Sequence, residues 1–167
     1  PLHVRSEDRA LVYEMRPNAQ VEVAGMNWTV RTNSAGFRDE EFGAPSPGTL
    51  RIAAVGDSIT LGFWVQRSQS WPSRLESVLA SSKLEPGEAP CRVEVMNCGV
   101  TGYDLGQEGQ LIASRVLAYQ PDLIVLANSP NDEELGADAG LWRHFSRSPS
   151  RTWDFLSLRW LRARRDR

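Results

Sequence analysis

The sequence predicts an α/β protein built around a parallel sheet. Three short apolar segments, 50–55, 92–97 and 123–127, have the length and composition of strands that are buried on both faces. Each of the first two is followed by a segment with helical periodicity, and the connections between them are short. Strand, helix, strand, helix, strand in this order is typical of right-handed crossover units on one parallel sheet.

Length and composition agree with one soluble globular domain. The chain has 167 residues, of which 41% are hydrophobic and 24% charged, and its net charge is -2. No apolar run approaches the roughly 18 residues that a membrane helix needs. The near-neutral balance also argues against a nucleic-acid-binding protein, which usually has a strongly basic face. We therefore expect neither membrane spans nor a nucleic-acid partner.

Residues 1–48 are predicted to form an N-terminal accessory segment. Within it, residues 20–32 have the alternating pattern of a β-hairpin, with Gly25 and Asn27 in the turn region. A cluster of Gly, Pro and Ser at 43–48 then breaks the chain before the first core strand. The core is predicted to span residues 49–140.

Two helices are predicted between the core strands. The first begins near Pro72, where apolar residues from Trp71 to Leu79 recur at the spacing of one helical face. The second follows Asp104, which resembles a capping pair with Gln107, and it ends before Pro121.

Residues 141–167 are a separate basic and Trp-rich segment, with eight Arg against two Asp. If the segment is helical, four apolar residues share one face: Trp153, Leu156, Trp160 and Leu161. We interpret it as a helix or lid that packs its Trp residues on the domain. Contact of this basic helix with a membrane surface is the less favoured alternative.

Polar clusters follow all three predicted strands, at 56–60, 97–102 and 128–132. In an open parallel sheet, ligands bind at the carboxyl ends of the strands. A single cluster of Gly, Asp, Ser and Asn is typical of turns and helix caps. Three clusters at one edge favour a binding or catalytic site.

The residues in these clusters resemble the sequence blocks of the SGNH, or GDSL, hydrolase family, especially its bacterial lipase and acylhydrolase members. The first block is Gly-Asp-Ser at 56–58, the second is the glycine turn at 97–102, and the third is Ser-Pro-Asn-Asp at 129–132. The upstream Asn-Ser-Ala-Gly-Phe-Arg at 33–38 is similar to a segment that precedes the first block in some bacterial members. The resemblance covers roughly residues 11–135.

The resemblance implies a flavodoxin-like three-layer α/β/α sandwich that hydrolyses acyl esters without a metal or cofactor. Ser58 is the implied nucleophile. The implied oxyanion donors are its own N–H, the N–H of Gly102 and the amide of Asn131, and losing one such donor typically costs about 100- to 1000-fold in rate. Asp57 is interpreted as holding the turn. The expected substrate is a small-molecule or carbohydrate ester, and the resemblance favours an extracytoplasmic location.

The sequence departs from the family pattern in two places. Ser129 stands where the third block usually has glycine. The closing Asp-x-x-His, which supplies the general base, is absent, because His3 lies at a terminus and His144 lacks an Asp three residues before it. We therefore expect the catalytic Asp and His beyond Arg167, in a continuation of the chain or a separate fragment, and negligible esterase activity from these 167 residues alone.

A flavodoxin-like sheet contains further strands, which we also expect beyond the end of this chain. Without them, the predicted strand 123–127 is expected to form an exposed sheet edge with unpaired backbone groups.

Two other functions are compatible with the same residues. One is a carbohydrate O-acyltransferase or deacetylase on the same fold, and the other is a non-catalytic binding domain that has lost its base. Ser58, Gly102 and Asn131 occurring together favour catalysis, because a binding domain has no chemical need for all three.

Overall fold

A computed structural model of the chain describes residues 2–22, 28–82, 92–129 and 158–162. The strands within these ranges are β1 (His3–Arg5), β2 (Tyr13–Met15), β3 (Gln20–Glu22), β4 (Thr29–Arg31), β5 (Thr49–Gly56), β6 (Arg92–Gly99), β7 (Leu123–Ala127) and β8 (Leu158–Arg162). The helices are α1 (Ser58–Leu61), α2 (Trp71–Ser81) and α3 (Leu105–Ser114), with short 3-10 turns at Arg67–Gln69 and Val116–Tyr119.

The largest sheet is centred on β5, and its strand order is β6-β5-β7-β8. β5 runs parallel to β6 on one side and to β7 on the other. In this register Gly56 at the end of β5 lies opposite Gly99 of β6 and Ala127 of β7. The prediction of an α/β protein with these three strands in one parallel sheet is therefore confirmed, and the first of the three lies in the middle. The three strands end at one edge, so the three polar clusters begin there.

The two faces of this sheet are buried by different parts of the chain. Ile52 and Ala54 of β5 belong to an apolar cluster that includes side chains of α2. Ala53 and Val55 belong to a second cluster, together with α3 and the N-terminal segment. Side chains of a strand point alternately to its two faces, so a nearly continuous apolar strand is needed when both faces are covered.

Both predicted helices are confirmed at their starts, but α3 ends at Ser114, and a separate 3-10 turn at Val116–Tyr119 takes the place of its predicted last part. Pro72 lies in the first turn of α2, where its missing N–H costs no hydrogen bond. The Asp104 carboxylate accepts from the Gln107 N–H at 2.8 Å, and the Gln107 side chain accepts from the Asp104 N–H at 3.2 Å. This reciprocal capping box starts α3. Among the described residues, no helix is long and apolar enough to cross a membrane.

Two small hairpins precede the main sheet. β3 and β4 pair antiparallel, with Val21 opposite Val30, which confirms the predicted hairpin. Its predicted turn residues, Gly25 and Asn27, lie outside the described residues. β1 and β2 form a further antiparallel pair that the sequence did not predict.

Two expectations about the C-terminal part of the chain were wrong. The predicted helix is contradicted over Leu158–Arg162, which is the strand β8. β8 pairs antiparallel with β7, so β7 is not the exposed edge that we expected. The backbone N–H and C=O groups on the outer side of β7 need partners, and a strand supplies them whereas a helix does not. A short apolar run is compatible with the period of a helix and with that of a strand. In this segment, pairing with β7 favours the strand.

Candidate functional site

Two glycines bring the first two polar clusters together at the carboxyl edge of the sheet. The N–H of Val100, just after β6, donates to the Gly56 carbonyl at 3.0 Å. A Cβ atom on Gly99 would lie 2.2 Å from the backbone nitrogen of Leu61 in α1. Because this distance is far below van der Waals contact, only glycine allows α1 to pack directly on the end of β6. The short helix that begins at Ser58 is thus held against the glycine turn.

Asp57 is a buried structural residue at this edge. One carboxylate oxygen accepts from the Ile59 N–H at 2.8 Å and caps α1. The other accepts from the hydroxyl of Ser129 at 2.8 Å, just beyond β7. Asp57 therefore ties the first cluster to the third, in agreement with its interpretation as a turn-holding residue. The serine in the third cluster has a role of its own, as donor to this carboxylate.

We expect Ser129→Ala to lower the free energy of unfolding by about 1.5 to 3 kcal/mol, because a buried carboxylate loses a hydrogen-bond donor. Urea denaturation of the variant and of the original protein measures this difference. Ser114→Ala is the matched control, since that hydroxyl is exposed on α3 and donates to a carbonyl of its own helix. Equal midpoints for all three proteins would contradict the assigned role of Ser129.

Ser58 is the first residue of α1 and is half-buried. Its carbonyl accepts from the N–H groups of Gly62 and Phe63, at 3.1 and 2.9 Å. Gly62 has a left-handed backbone, with φ of +82°. These are the features of a Schellman motif, which ends a helix by satisfying its last carbonyls. The backbone on both sides of Ser58 is therefore fixed, by Asp57 before it and by this motif after it.

The glycine turn after β6 is held from two sides. The side chain of Asn97 is buried, and its oxygen accepts from the Gly99 N–H at 3.1 Å. From the N-terminal segment, the Tyr13 hydroxyl donates to the carbonyl of Thr101 at 2.8 Å. Burial, and next the charge of Asp104, raise the pKa of Tyr13, so this phenol remains a donor at neutral pH.

Gly102 lies at the exposed end of this turn, with φ of +76°. The left-handed conformation favours glycine. The limited space also favours glycine, because a Cβ atom at this position would lie 3.0 Å from the Tyr13 hydroxyl oxygen. The backbone of Gly102 is therefore accessible from solvent at the edge where Ser58 also lies.

Two of the three predicted site residues lie at the same edge of the sheet. Ser58 follows β5 by two residues and Gly102 follows β6 by three, and the ends of these strands are paired. Asn131 lies outside the described residues, as does His144. Convergence of Ser58, Gly102 and Asn131 on one pocket stays a prediction.

Sequence reasoning missed a structural residue behind this site, the buried Arg38. Its guanidinium donates to three carbonyls of the loop that follows Ser58, those of Leu61, Gly62 and Val65, at 2.7 to 3.0 Å. It also donates to the carbonyl of Thr29 in β4, at 3.0 Å. Arg38 ends the segment 33–38 that resembles a family block, and that resemblance was the available signal.

The histidine in the described part of the chain is His3 of β1. Its ring packs edge-on against Tyr13, with the ring centres 5.3 Å apart. Burial lowers the pKa of His3, because it disfavours the charged imidazolium. Within the same residue ranges, no group of three or more His, Cys, Asp or Glu side chains is placed to hold a metal ion.

Comparison of the chain with protein-family models gives no match, and comparison with curated proteins gives none either.

Proposed function

We propose that this chain carries the nucleophile and oxyanion donors of a serine ester hydrolase, with the flavodoxin-like three-layer fold of the SGNH family. One observation carries the proposal. A half-buried serine begins the helix after the middle strand, and an exposed glycine of left-handed conformation follows the neighbouring strand at the same edge of the sheet. These residues are Ser58 and Gly102.

In the proposed reaction, the Ser58 hydroxyl oxygen attacks the carbonyl carbon of an acyl ester while a general base takes its proton. The carbonyl π electrons move to oxygen, and the N–H groups of Ser58 and Gly102 and the amide of Asn131 stabilise this oxyanion. Collapse breaks the bond to the alcohol, which leaves with the proton and creates an acyl-Ser58 ester. Water then releases the acid and restores the serine. The proposed base is the histidine of the family's Asp-x-x-His.

The arrangement of fixed backbone supports this role. Oxyanion stabilisation is effective when its donors are already in place before the charge develops. Asp57 caps the helix that begins at Ser58, and Asn97 holds the start of the glycine turn. Tyr13 holds the end of that turn through the carbonyl of Thr101. The backbone donors on two neighbouring strand ends are thus restrained independently of a substrate.

Covalent labelling tests the proposal in the intact gene product. A fluorophosphonate reacts with serine only where a base activates the hydroxyl. Trypsin releases the peptide 52–67, in which Ser58 is the only serine. We expect one phosphonate adduct on this peptide by mass spectrometry, absent from Ser58→Ala and present in Ser77→Ala, whose hydroxyl is exposed on α2. An adduct on another peptide, or none, would contradict the proposal.

A non-catalytic binding domain is the second candidate. The observation that favours it is in the sequence, where neither His3 nor His144 belongs to an Asp-x-x-His. A chain without an activating base would keep the site geometry and would leave Ser58 unlabelled. The labelling experiment therefore separates the two candidates.

A further inference from the structure

The outer side of β6 has no neighbouring strand in the part of the chain that the structure describes. The N–H of Val100 donates to the Gly56 carbonyl, on the side of β5. Successive N–H groups of a strand point to alternate sides, and the pairing of β6 with β5 is uninterrupted. The N–H groups of Val95, Asn97 and Gly99 therefore face outward. An open row of such donors is a template on which another chain can add a strand.

Side-chain oxygens of the same chain occupy these outward donors. The Val95 N–H donates to a carboxylate oxygen of Glu76 at 2.7 Å, and the Asn97 N–H donates to a carboxylate oxygen of Asp39 at 2.8 Å. The Gly99 N–H donates to the side-chain oxygen of Asn97 at 3.1 Å. Three consecutive outward donors are thus bonded within the chain, and two of their acceptors are carboxylates.

The two carboxylates reach this edge from segments that cover opposite faces of the sheet. Glu76 lies on α2, whose apolar side chains pack on the face that contains Ile52 and Ala54. Asp39 follows Phe37, which belongs to the apolar cluster on the other face. The edge of β6 is therefore enclosed from both faces, by residues 19 and 58 positions away in the sequence.

Two carboxylates at one edge are electrostatically unfavourable. Burial raises the pKa of Asp39, and the nearby charge of Glu76 raises it as well. Arg67 offsets part of this cost, because its guanidinium donates to the other Asp39 oxygen at 2.9 Å. Water or a neutral oxygen can satisfy an N–H group, so satisfaction alone does not require two charges. A carboxylate, however, has no donor that could continue a ladder, and a charged side chain at an edge opposes a further strand.

We infer that Asp39 and Glu76 close the outer edge of β6 against strand addition by a second copy of this chain. A second copy is the relevant partner because two β6 edges can pair antiparallel about a two-fold axis, with the same groups on both sides. The carboxylates occupy donors that such a pair needs, and their charges would face those of the second copy. Removing them leaves the N–H groups of Val95 and Asn97 available for pairing.

The test uses the intact gene product with Asp39→Ala and Glu76→Ala combined. Sedimentation velocity over a range of concentrations should show self-association that the original protein lacks. Hydrogen exchange with mass spectrometry should locate it, because at low concentration the amides of β6 should exchange about tenfold faster than in the original protein and at high concentration regain protection. Glu40→Ala with Glu41→Ala is the matched control, since these neighbouring carboxylates bond Arg67 and Ser34 instead of β6. It should neither associate nor exchange faster in β6.

Glu76→Ala alone keeps the test decisive if the double variant does not fold, because it leaves the contacts of Asp39 in place. Its Val95 amide should exchange faster at low concentration and regain protection at high concentration, while the Asn97 amide stays protected. A folded double variant that remains as monodisperse as the original protein overturns the inference, and so does association that leaves the β6 amides unprotected. If the double variant is unfolded, unchanged Val95 exchange in Glu76→Ala overturns it.

Discussion

Replacing Ser58 with alanine is expected to lower kcat/KM of the intact gene product for p-nitrophenyl butyrate by about 10⁴-fold or more. The variant lacks the oxygen that forms the acyl intermediate, while the oxyanion donors remain. Folding should be unaffected, because the side chain that caps α1 is that of Asp57. Steady-state kinetics on the original protein and the variant, with matching thermal melts, measure the effect.

The control for this experiment is Ser77→Ala, an exposed serine on α2 whose hydroxyl donates to the carbonyl of Ser73. It should retain full activity. Ser58→Cys is informative as well, because a thiol keeps a nucleophile at the same place and should form an acyl intermediate at a changed rate. Undiminished turnover in Ser58→Ala would assign the chemistry to another residue.

Replacing Arg38 with methionine is expected to lower the free energy of unfolding by about 3 to 5 kcal/mol. Arg38 is 1% exposed, and its guanidinium donates to four backbone carbonyls, one at the end of α1, two in the loop that follows it and one in β4. Burial, and next the charge of Arg67, lower the pKa of Arg38, yet the hydrogen bonds need only its N–H groups. Methionine has a similar length and no donor, so these carbonyls lose the hydrogen bonds from the guanidinium.

Arg67→Met is the matched control for Arg38→Met. Arg67 is 44% exposed and forms ion pairs with Asp39 and Glu40. Ion pairs at the surface contribute about 0 to 1 kcal/mol each, so we expect a small loss of stability. Guanidinium denaturation of both variants measures the contrast. Similar losses in the two variants would contradict the structural role that we assign to the buried guanidinium of Arg38.

The sequence alone determined the centre of the molecule. β7 was predicted with its observed bounds, and β5 and β6 within a few residues, because strands buried on both faces require nearly continuous apolar runs. The start of α3 could be predicted from the sequence because Asp104 and Gln107, three residues apart, form its capping box. The turn-holding role of Asp57 was likewise predicted, since its bond to the Ile59 N–H is local. Hydrogen bonds between residues close in sequence, and the burial of a strand on both faces, can therefore be predicted from local residue patterns.

Tertiary structure decided the features that depend on distant partners. Tyr13 reaches a carbonyl 88 residues away, and Arg38 bonds carbonyls 23 to 27 residues away. A backbone carbonyl can accept from any residue type with a donor. The local sequence around Tyr13 and Arg38 therefore does not predict which carbonyls they bond. Residues 158–162 adopt a strand because the outer side of β7 needs backbone partners, although their spacing is also compatible with a helix. The physical reason is common to these cases. Buried backbone N–H and C=O groups need hydrogen-bond partners, and only the folded chain determines which side chain or strand lies close enough to supply them.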